Sequence, residues 1–262
     1  MKDMGEASYV IGIKIHRDRF QGILGLSQET YINKVLERFR MKNCSPNVSP
    51  IVKGDRFNLN QCPKNDLERE QMKNIPYAST IGSLMYAQVC TRPDIAFVAR
   101  MLGRYQSNPD TNFAGYVDSR KSTSGYIFIL AGGAISWRSV KQTMTATSTM
   151  EAEFISCFEA TSHGVWLKSF ISGLRVMDSI SRSLSIYCDN LVAVFMAKNN
   201  KNGSRSKHID ITCLAIRERV KEKKVVIEHI NIELMIDDPL TKGMPPLKFK
   251  DHVVNMGLSS LM

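Results

Sequence analysis

The sequence lacks the long apolar run that a membrane-spanning helix needs. Its longest nearly apolar run, from Tyr126 to Trp137, has 12 residues and contains two glycines, whereas a helix needs about 20 to cross a bilayer. The N-terminus also lacks the succession of basic, apolar and small residues that marks a secretory signal. We therefore expect an intracellular protein, cytoplasmic or nuclear, with no membrane partner.

The cysteines lack the spacing of a zinc site. The six are Cys44, Cys62, Cys90, Cys157, Cys188 and Cys213. No two form a C-x-x-C pair, and none has a pair of histidines at zinc-finger distance. The pattern favours reduced, structurally incidental thiols, and a disulfide framework is the alternative.

The chain has the composition of a globular protein with a basic excess. Apolar residues make up 43% of its 262 positions and charged residues 23%, and 35 Lys and Arg against 25 Asp and Glu give a net charge of +10. That length can bury a sizeable core in one or two domains. The excess permits a polyanionic partner without proving one.

Positive charge is concentrated between Lys198 and Lys224, where nine basic residues face three acidic ones. Two interpretations stay open. The stretch could follow a phosphate backbone, with Lys198, Lys201, Arg205, Lys207 and His208 as nucleic-acid contacts. It could equally be a solvated helix face, with His208 as a helix-capping residue.

The first part of the chain predicts an α+β arrangement. Residues from Tyr9 to Ile15 alternate as in a strand, Ile23–Leu26 returns as its hairpin partner, and Ser27 offers the cap of a helix reaching Met41. Residues 57–74 are polar and predict a long exposed connection. From Ile75 to Asn108 two apolar helical faces follow each other, with Pro93 at the start of the second helix.

The second part predicts a mixed α/β domain. The expected elements are a hairpin of Gly125–Leu130 and Ala134–Val140, a helix from Thr149 to Leu174, a strand at Leu184–Cys188, helices at Asn190–Lys198 and about His208–Lys221, a strand at Val225–Ile230 and a final helix beginning near Met235. Strands that alternate with helices in this way indicate a sheet with flanking helices.

Four acids lie near the ends of these elements: Asp110, Glu153, Asp189 and Asp238. Asp189 ends an apolar strand, at the sheet edge where ligand sites form in α/β folds. Carboxylates that converge repel one another, and Mg²⁺, which prefers oxygen ligands, relieves that repulsion. From spacing alone, solvated cap and turn acids are the commoner explanation.

Six sequence blocks, in order, resemble the tail of copia-type retrotransposon polyproteins. They are Ile75–Ile95, Asp118–Tyr126, Ser148–Phe154, Tyr187–Asn190, Ser206–Asp210 and Asp238–Lys242. The resemblance implies that residues 1–109 are the end of a reverse transcriptase and its connection. It implies a ribonuclease H-like domain over residues 110–250, which cuts RNA in RNA–DNA hybrids, and a tail over residues 251–262.

The resemblance assigns the acidic quartet a role. Asp110, Glu153, Asp189 and Asp238 match the family's catalytic, metal-binding carboxylates, which hold two Mg²⁺ ions; Glu151 is the weaker match for the helical glutamate. Two such ions activate a water and stabilise the leaving oxygen of a phosphodiester. Asp237 stands where the family usually has alanine.

Two departures from the family pattern change the expected activity. The polymerase's Tyr-x-Asp-Asp strand would lie upstream of Met1, so no polymerase activity is expected. Pro109 directly precedes Asp110, as though the preceding helix and the first, central strand of the ribonuclease H sheet were deleted. Two hypotheses stay open: an impaired ribonuclease H, or a non-catalytic transposon remnant with weak nucleic-acid binding.

Overall fold

The computed structural model describes residues 5–52, 54–55, 63, 65–103, 122–143, 145–146, 148–175, 182–199 and 207–258, without the side chains of 69 and 207–211. The chain divides into two compact units. One comprises Met1–Asp118, Leu130–Ala134 and Lys242–Met262, and the other comprises Ser119–Ile129 and Ile135–Thr241. The domain boundaries taken from the sequence stay predictions.

The first unit opens with a three-stranded antiparallel sheet of β1 (Tyr9–Val10), β2 (Ile13–Asp18) and β3 (Ile23–Ser27). The strand predicted over Tyr9–Ile15 is thus divided in two. Ile11 and Gly12 both have positive φ, 49° and 76°, which is the backbone of a tight two-residue hairpin turn. Strand alternation alone concealed this turn, because Ile11 is apolar like its neighbours.

Helices make up much of the rest of the first unit. They are α1 (Glu29–Arg38), α2 (Asp66–Lys73), α3 (Tyr77–Cys90) and α4 (Ala96–Gly103). The Ser27 hydroxyl accepts the Glu29 N–H at 3.2 Å, as predicted for the start of α1. The polar connection predicted over 57–74 instead contains α2, whose first turn is capped by the Asn65 side chain. Pro93 begins a short 3₁₀ turn, Pro93–Ile95, just before α4.

The second unit contains the predicted hairpin, apart from its tip at Leu130–Ala134, and the long helix that follows. Strands β4 (Thr123–Leu130) and β5 (Gly133–Lys141) pair with each other. Ala131 and Gly132, both at positive φ, make the turn between them. Helix α5 (Thr149–Gly173) follows, and the Ser148 hydroxyl accepts the Glu151 N–H at its start.

A parallel strand pair completes this unit. Strands β6 (Leu184–Cys188) and β7 (Val225–His229) pair in register from Leu184 with Val225 to Cys188 with His229. Between them run α6 (Leu191–Lys198) and α7 (Lys207–Lys221). These elements and α5 share one core, with Phe154, Ile216 and Ile227 fully buried in it. The mixed α/β class predicted from the sequence is confirmed.

Short turns follow β7. The chain forms 3₁₀ turns at Ile232–Leu234 and Asp238–Leu240, and then α8 (Pro246–Asn255). The final helix predicted near Met235 therefore begins eleven residues later, at Pro246. Proline at the first helical position fits a helix start, whereas Pro239 and Pro245 interrupt the earlier stretch. Among the described residues, no helix is both long and apolar enough to cross a membrane.

Helix α5 packs on strands from both sheets of the second unit. In the described residues, β4–β5 and β6–β7 form separate two-stranded sheets. Gly164 lies where both touch the helix: a Cβ there would come within 2.5 Å of Leu184 Cδ2, on β6, and 2.8 Å of Phe128 Cε1, on β4. Both are closer than real Cβ contacts, so the glycine allows the helix to approach both strands.

The packing predicts opposite results for two glycines of one helix. We expect Gly164→Ala to lower the free energy of unfolding by about 1–2 kcal/mol, because the overpacking cost of about 1–3 kcal/mol outweighs the better helix propensity of alanine. Gly173→Ala is the control, since no atom lies within 4 Å of its Cβ position, and it should leave stability unchanged or slightly higher. Urea denaturation measures both; equal effects would contradict the close packing at Gly164.

Candidate acidic site at the end of the parallel strand pair

Asp189 lies at the carboxyl end of the parallel pair, directly after β6. The next residue, Asn190, caps α6 by accepting the N–H groups of Val192 and Ala193 at 3.0 and 3.1 Å. The Ile230 N–H donates to the Cys188 carbonyl at 3.0 Å, which extends the strand pairing to the edge of the sheet. Asp189 is therefore fixed between a paired strand end and a capped helix start.

A histidine that the sequence left without a role contacts this strand end. His229 is the last residue of β7 and pairs in register with Cys188. Its Nε2 lies 3.1 Å from the Asp189 carbonyl oxygen. A carbonyl only accepts hydrogen bonds, so Nε2 carries the hydrogen in this contact. The parallel register brings the two together, and no sequence motif indicates it.

Glu153 reaches the same region from the first turns of α5. The next two residues, Phe154 and Ile155, are 0% and 1% exposed and anchor this end of the helix in the core. Glu153 itself is exposed, whereas Glu151 is buried. The sequence preference for Glu153 over Glu151 as the site residue is consistent with this placement, and its role stays a prediction.

Asp238 begins a 3₁₀ turn that packs against the hairpin. The turn is held by Leu240, which is 0% exposed and whose carbonyl accepts the Ser139 hydroxyl of β5 at 2.6 Å. Gly125 of β4 lies opposite: a Cβ there would overlap the Thr241 methyl group and lie 3.2 Å from Leu240 Cβ. The absence of a side chain at Gly125 thus lets the turn approach the hairpin.

Asp237 is the carboxyl group that this arrangement perturbs most. Burial, followed by the negative charge of Asp238 and then of Glu153 and Asp189, raises the pKa of Asp237 to about 7. The charges of Asp238, Glu153 and Asp189 are therefore close enough to act on the Asp237 carboxyl group. The sequence marked Asp237 only as a departure from a family alanine and missed its place in the cluster. The pair Asp237-Asp238 was the available signal.

The same environment acts on a neighbouring thiol. Burial, together with the negative charges of Glu153, Asp189 and Asp237, raises the pKa of Cys188 to about 11. Cys157, buried on α5, has a pKa raised to about 12, chiefly by burial. Thiols held protonated in this way are weak nucleophiles and weak metal ligands. Their state fits the structurally incidental role predicted from the sequence.

The cluster has the donor chemistry for magnesium but not the spacing. Carboxylate oxygens are the ligands that Mg²⁺ prefers. Within the described residues, however, no group of three His, Cys, Asp or Glu side chains lies close enough to hold a metal ion. Asp110, the fourth predicted ligand, lies outside the described residues. No catalytic step through a metal can therefore be derived from this geometry.

The predicted nucleic-acid contacts are placed only in part. Lys198 is the exposed last residue of α6. Lys207 and His208 begin α7, but their side chains, like all of Lys201 and Arg205, lie outside the described residues.

One other member of the basic stretch is not available to a ligand. Arg217 is 5% exposed, and its Nε–H donates to the Met196 carbonyl at 2.9 Å. Its helical position on α7 turns it into the core, which a count of charges along the sequence does not show.

Two long proteins are similar in sequence to nearly the whole of this chain. The retrovirus-related Pol polyprotein from transposon TNT 1-94 of Nicotiana tabacum is 37% identical over 286 residues, covering 95% of this chain and 21% of that protein. The Pol polyprotein from transposon RE1 of Arabidopsis thaliana is 28% identical over 296 residues, covering 99% and 19%. The chain thus spans about a fifth of the length of these relatives.

A shorter relative bears a different name. The secreted RxLR effector protein 161 of Plasmopara viticola is 37% identical over 133 residues, covering 37% of this chain and 94% of that protein. No family model matches the chain, and no solved structure matches it.

The chain has a mixed α/β fold with acidic residues at a strand end. It is also similar over nearly its whole length to transposon polyproteins. The chain belongs to the copia-type retrotransposon Pol polyproteins, with relatives in tobacco and Arabidopsis. The family predicted from the six sequence blocks is confirmed.

The length of these alignments bears on the predicted deletion. The stretch aligned with the tobacco polyprotein, 286 residues, is longer than the whole 262-residue chain. The stretch aligned with the Arabidopsis protein, 296 residues, is longer still. Each relative therefore carries at least two dozen residues that this chain lacks, which is room for a helix and a strand. That the gap falls between Pro109 and Asp110 stays a prediction.

The raised pKa of Asp237 predicts a pH-dependent effect of its removal. The folded-state pKa, about 7, lies above the ordinary value of 3.8. Between about pH 4 and pH 7, Asp237 loses its proton in the unfolded state but keeps it in the folded state. The free energy of unfolding therefore falls as the pH rises through this range. We expect Asp237→Asn to raise the free energy of unfolding by about 2–4 kcal/mol at pH 8 and by almost nothing near pH 3.5.

Urea denaturation in chelator-containing buffer across that pH range measures the difference from the wild type. Glu218→Gln, which changes an exposed carboxylate on α7, is the control and should change stability little at any pH. A gain for Asp237→Asn that is the same at pH 3.5 and pH 8 would contradict the clustering of charges around Asp237.

Proposed function

We propose that the second unit is a ribonuclease H-like domain of a copia-type Pol polyprotein, with impaired Mg²⁺-dependent cleavage of RNA in RNA–DNA hybrids. The observation that supports this proposal is that the charges of Glu153, Asp189 and Asp238 all reach the Asp237 carboxyl group and raise its pKa. These acids come from a helix, a strand end and a turn that are far apart in sequence. A helix cap or an isolated turn acid would not bring them together.

The strand arrangement supports the fold part of the proposal. The resemblance predicts that the first, central strand of the sheet is missing. In the described residues, which exclude 104–121, β4–β5 and β6–β7 are separate two-stranded sheets on one helix. This arrangement is compatible with the proposed deletion of a strand that would lie between them.

The acidic residues of the cluster contribute carboxylate oxygens. Glu153, Asp189 and Asp238 offer the carboxylate oxygens that Mg²⁺ prefers, but among the described residues no three acids lie close enough to hold an ion. In the chain as it stands, Asp189 is held by β6 and the α6 cap, and Asp238 by Ser139 and Leu240. Displacement of such a group by about 1 Å can cost about a hundredfold in rate. Loss of the first strand would leave Asp110 without its support in the sheet, and we therefore expect the activity to be weak.

A second candidate function is a non-catalytic remnant that binds nucleic acid weakly through its net charge of +10. The spacing of the described carboxylates, too wide for three of them to share an ion, favours it. The two candidates make different predictions about cleavage, although both allow binding.

A cleavage assay separates the two candidates. With a labelled RNA–DNA hybrid and excess Mg²⁺, we expect slow hydrolysis of the RNA strand, at least a hundredfold below an intact two-metal enzyme. EDTA should abolish the hydrolysis because it removes the metal. Asp189→Asn should abolish it because the metal loses a carboxylate ligand.

Ser185→Ala, at an exposed position of the same strand, is the control and should cleave like the wild type. If the wild type and Asp189→Asn degrade the hybrid at the same rate, or neither degrades it, the enzyme proposal is wrong. Binding of the hybrid without any cleavage would then identify the non-catalytic remnant.

A further inference from the structure

Three aromatic rings form a column along one face of α5. His163, Trp166 and Phe170 are three and four residues apart, so they lie on the same face of the helix. The Trp166 and Phe170 rings are stacked, with centroids 5.5 Å apart and planes within 10°, and the His163 ring lies 5.9 Å from Trp166. Trp166 is 60% exposed and Phe170 is 52% exposed. We call these three residues the aromatic column.

The inner end of the aromatic column is fixed by the core. The His163 ring makes edge contacts with Tyr126 and Phe128, at centroid distances of 5.6 and 5.3 Å, and both of those rings are buried. The Ser136 hydroxyl lies 3.4 Å from His163 Nε2. The aromatic column thus begins at buried rings and ends in solvent at Phe170. A flat ligand could stack on it with little loss of side-chain entropy, because the rings are already held in place.

Positive charges flank the aromatic column. Arg219 donates from Nη1 to the Ser162 hydroxyl at 3.0 Å, one helical turn before Trp166. Arg138, exposed on β5, lies close enough to His163 that its charge, after burial, helps to lower the pKa of that imidazole. The acid near this end, Glu159, is only partly exposed and acts on Tyr126. Two cations therefore lie near the inner, His163 end of the aromatic column.

We propose that the aromatic column binds single-stranded nucleic acid. An unpaired base stacks on the outer face of Phe170, and the strand runs along the aromatic column so that its phosphates reach Arg138 and Arg219 at the inner end. Exposed aromatic rings beside cations are the standard means of holding single strands without sequence preference. Only unpaired bases offer their faces, because the bases of a hybrid duplex are already stacked on one another.

This site is separate from the acidic cluster. Trp166 follows Glu153 by thirteen residues on the same helix, which corresponds to about 20 Å along the axis of α5. The inference rests on the proposed function only in taking nucleic acid as the class of partner. It uses none of the residues assigned to cleavage.

Binding of a fluorescein-labelled oligothymidylate of about ten nucleotides, followed by anisotropy, tests the proposal. We expect Trp166→Leu and Phe170→Leu each to weaken binding about 5- to 100-fold, since stacking contributes that much per base. Both substitutions keep an apolar side chain, which limits effects on folding; circular dichroism melting checks this. Arg138→Gln and Arg219→Gln should each weaken binding at low salt and reduce its salt dependence.

Phe195→Leu is the matched control. Phe195 is also 52% exposed, but it lies on α6, so its removal should leave the affinity unchanged. Equal weakening by Phe170→Leu and Phe195→Leu, or no binding by the wild type at about 100 μM protein, the weak limit of non-specific nucleic-acid binding, would overturn the proposal. In the second case, a protein partner would be the occupant of this face.

The hybrid-cleavage assay on the same variants separates this inference from the proposed function. If Trp166→Leu loses single-strand binding and no variant cleaves the hybrid, the binding site stands and the enzyme proposal fails. If the wild type cleaves the hybrid but does not bind the oligothymidylate, the enzyme proposal stands and the binding site fails.

Discussion

The contact of α5 with two strand pairs is the constraint on which the second unit depends. At Gly164 the helix backbone approaches Phe128 of β4 and Leu184 of β6 closely enough that no Cβ fits without displacement. In the described residues these pairs belong to separate sheets, and both pack on the same helix. Packing of this kind is sensitive to single methyl groups, since protein interiors are filled to crystal-like density.

The acidic cluster is a consequence of that packing. Glu153 comes from α5, Asp189 from the end of β6, and Asp238 from a turn clamped by Ser139 and Gly125 of the hairpin. Bringing like charges together costs free energy, and burial of Asp237 among them adds to the cost. In these surroundings Asp237 takes up a proton more readily than a free aspartate does.

Periodicity and caps predicted most of the second unit. The strand Leu184–Cys188 has the predicted bounds, and the helix that begins after Ser148 ends within one residue of the prediction. These elements have strong local signals, namely apolar alternation and a hydroxyl cap. The turn at Ile11 and the helix Asp66–Lys73 were missed, because an apolar residue hid the first and a polar composition hid the second.

The site was less predictable than the fold. Glu153, Asp189 and Asp238 could be named because the family resemblance fixed their positions. The placement of Asp237, the contact of His229 with Asp189 and the burial of Arg217 depend on tertiary register. The order of residues along the sequence does not show these features. Arg217, for example, is buried because α7 packs against α6 and brings its side chain to the Met196 carbonyl.

The parallel register of β6 and β7 has a consequence for how the site forms in time. Leu184 and Val225 are partners although about 40 residues separate them, whereas the β4–β5 hairpin closes through two residues. Loop-closure entropy must be overcome before such a distant pair gains its hydrogen bonds, so non-local strand pairing is slow. The hairpin and α5 can therefore assemble first. Asp189 and His229 meet only when this pair forms, so their contact is lost whenever the pair opens.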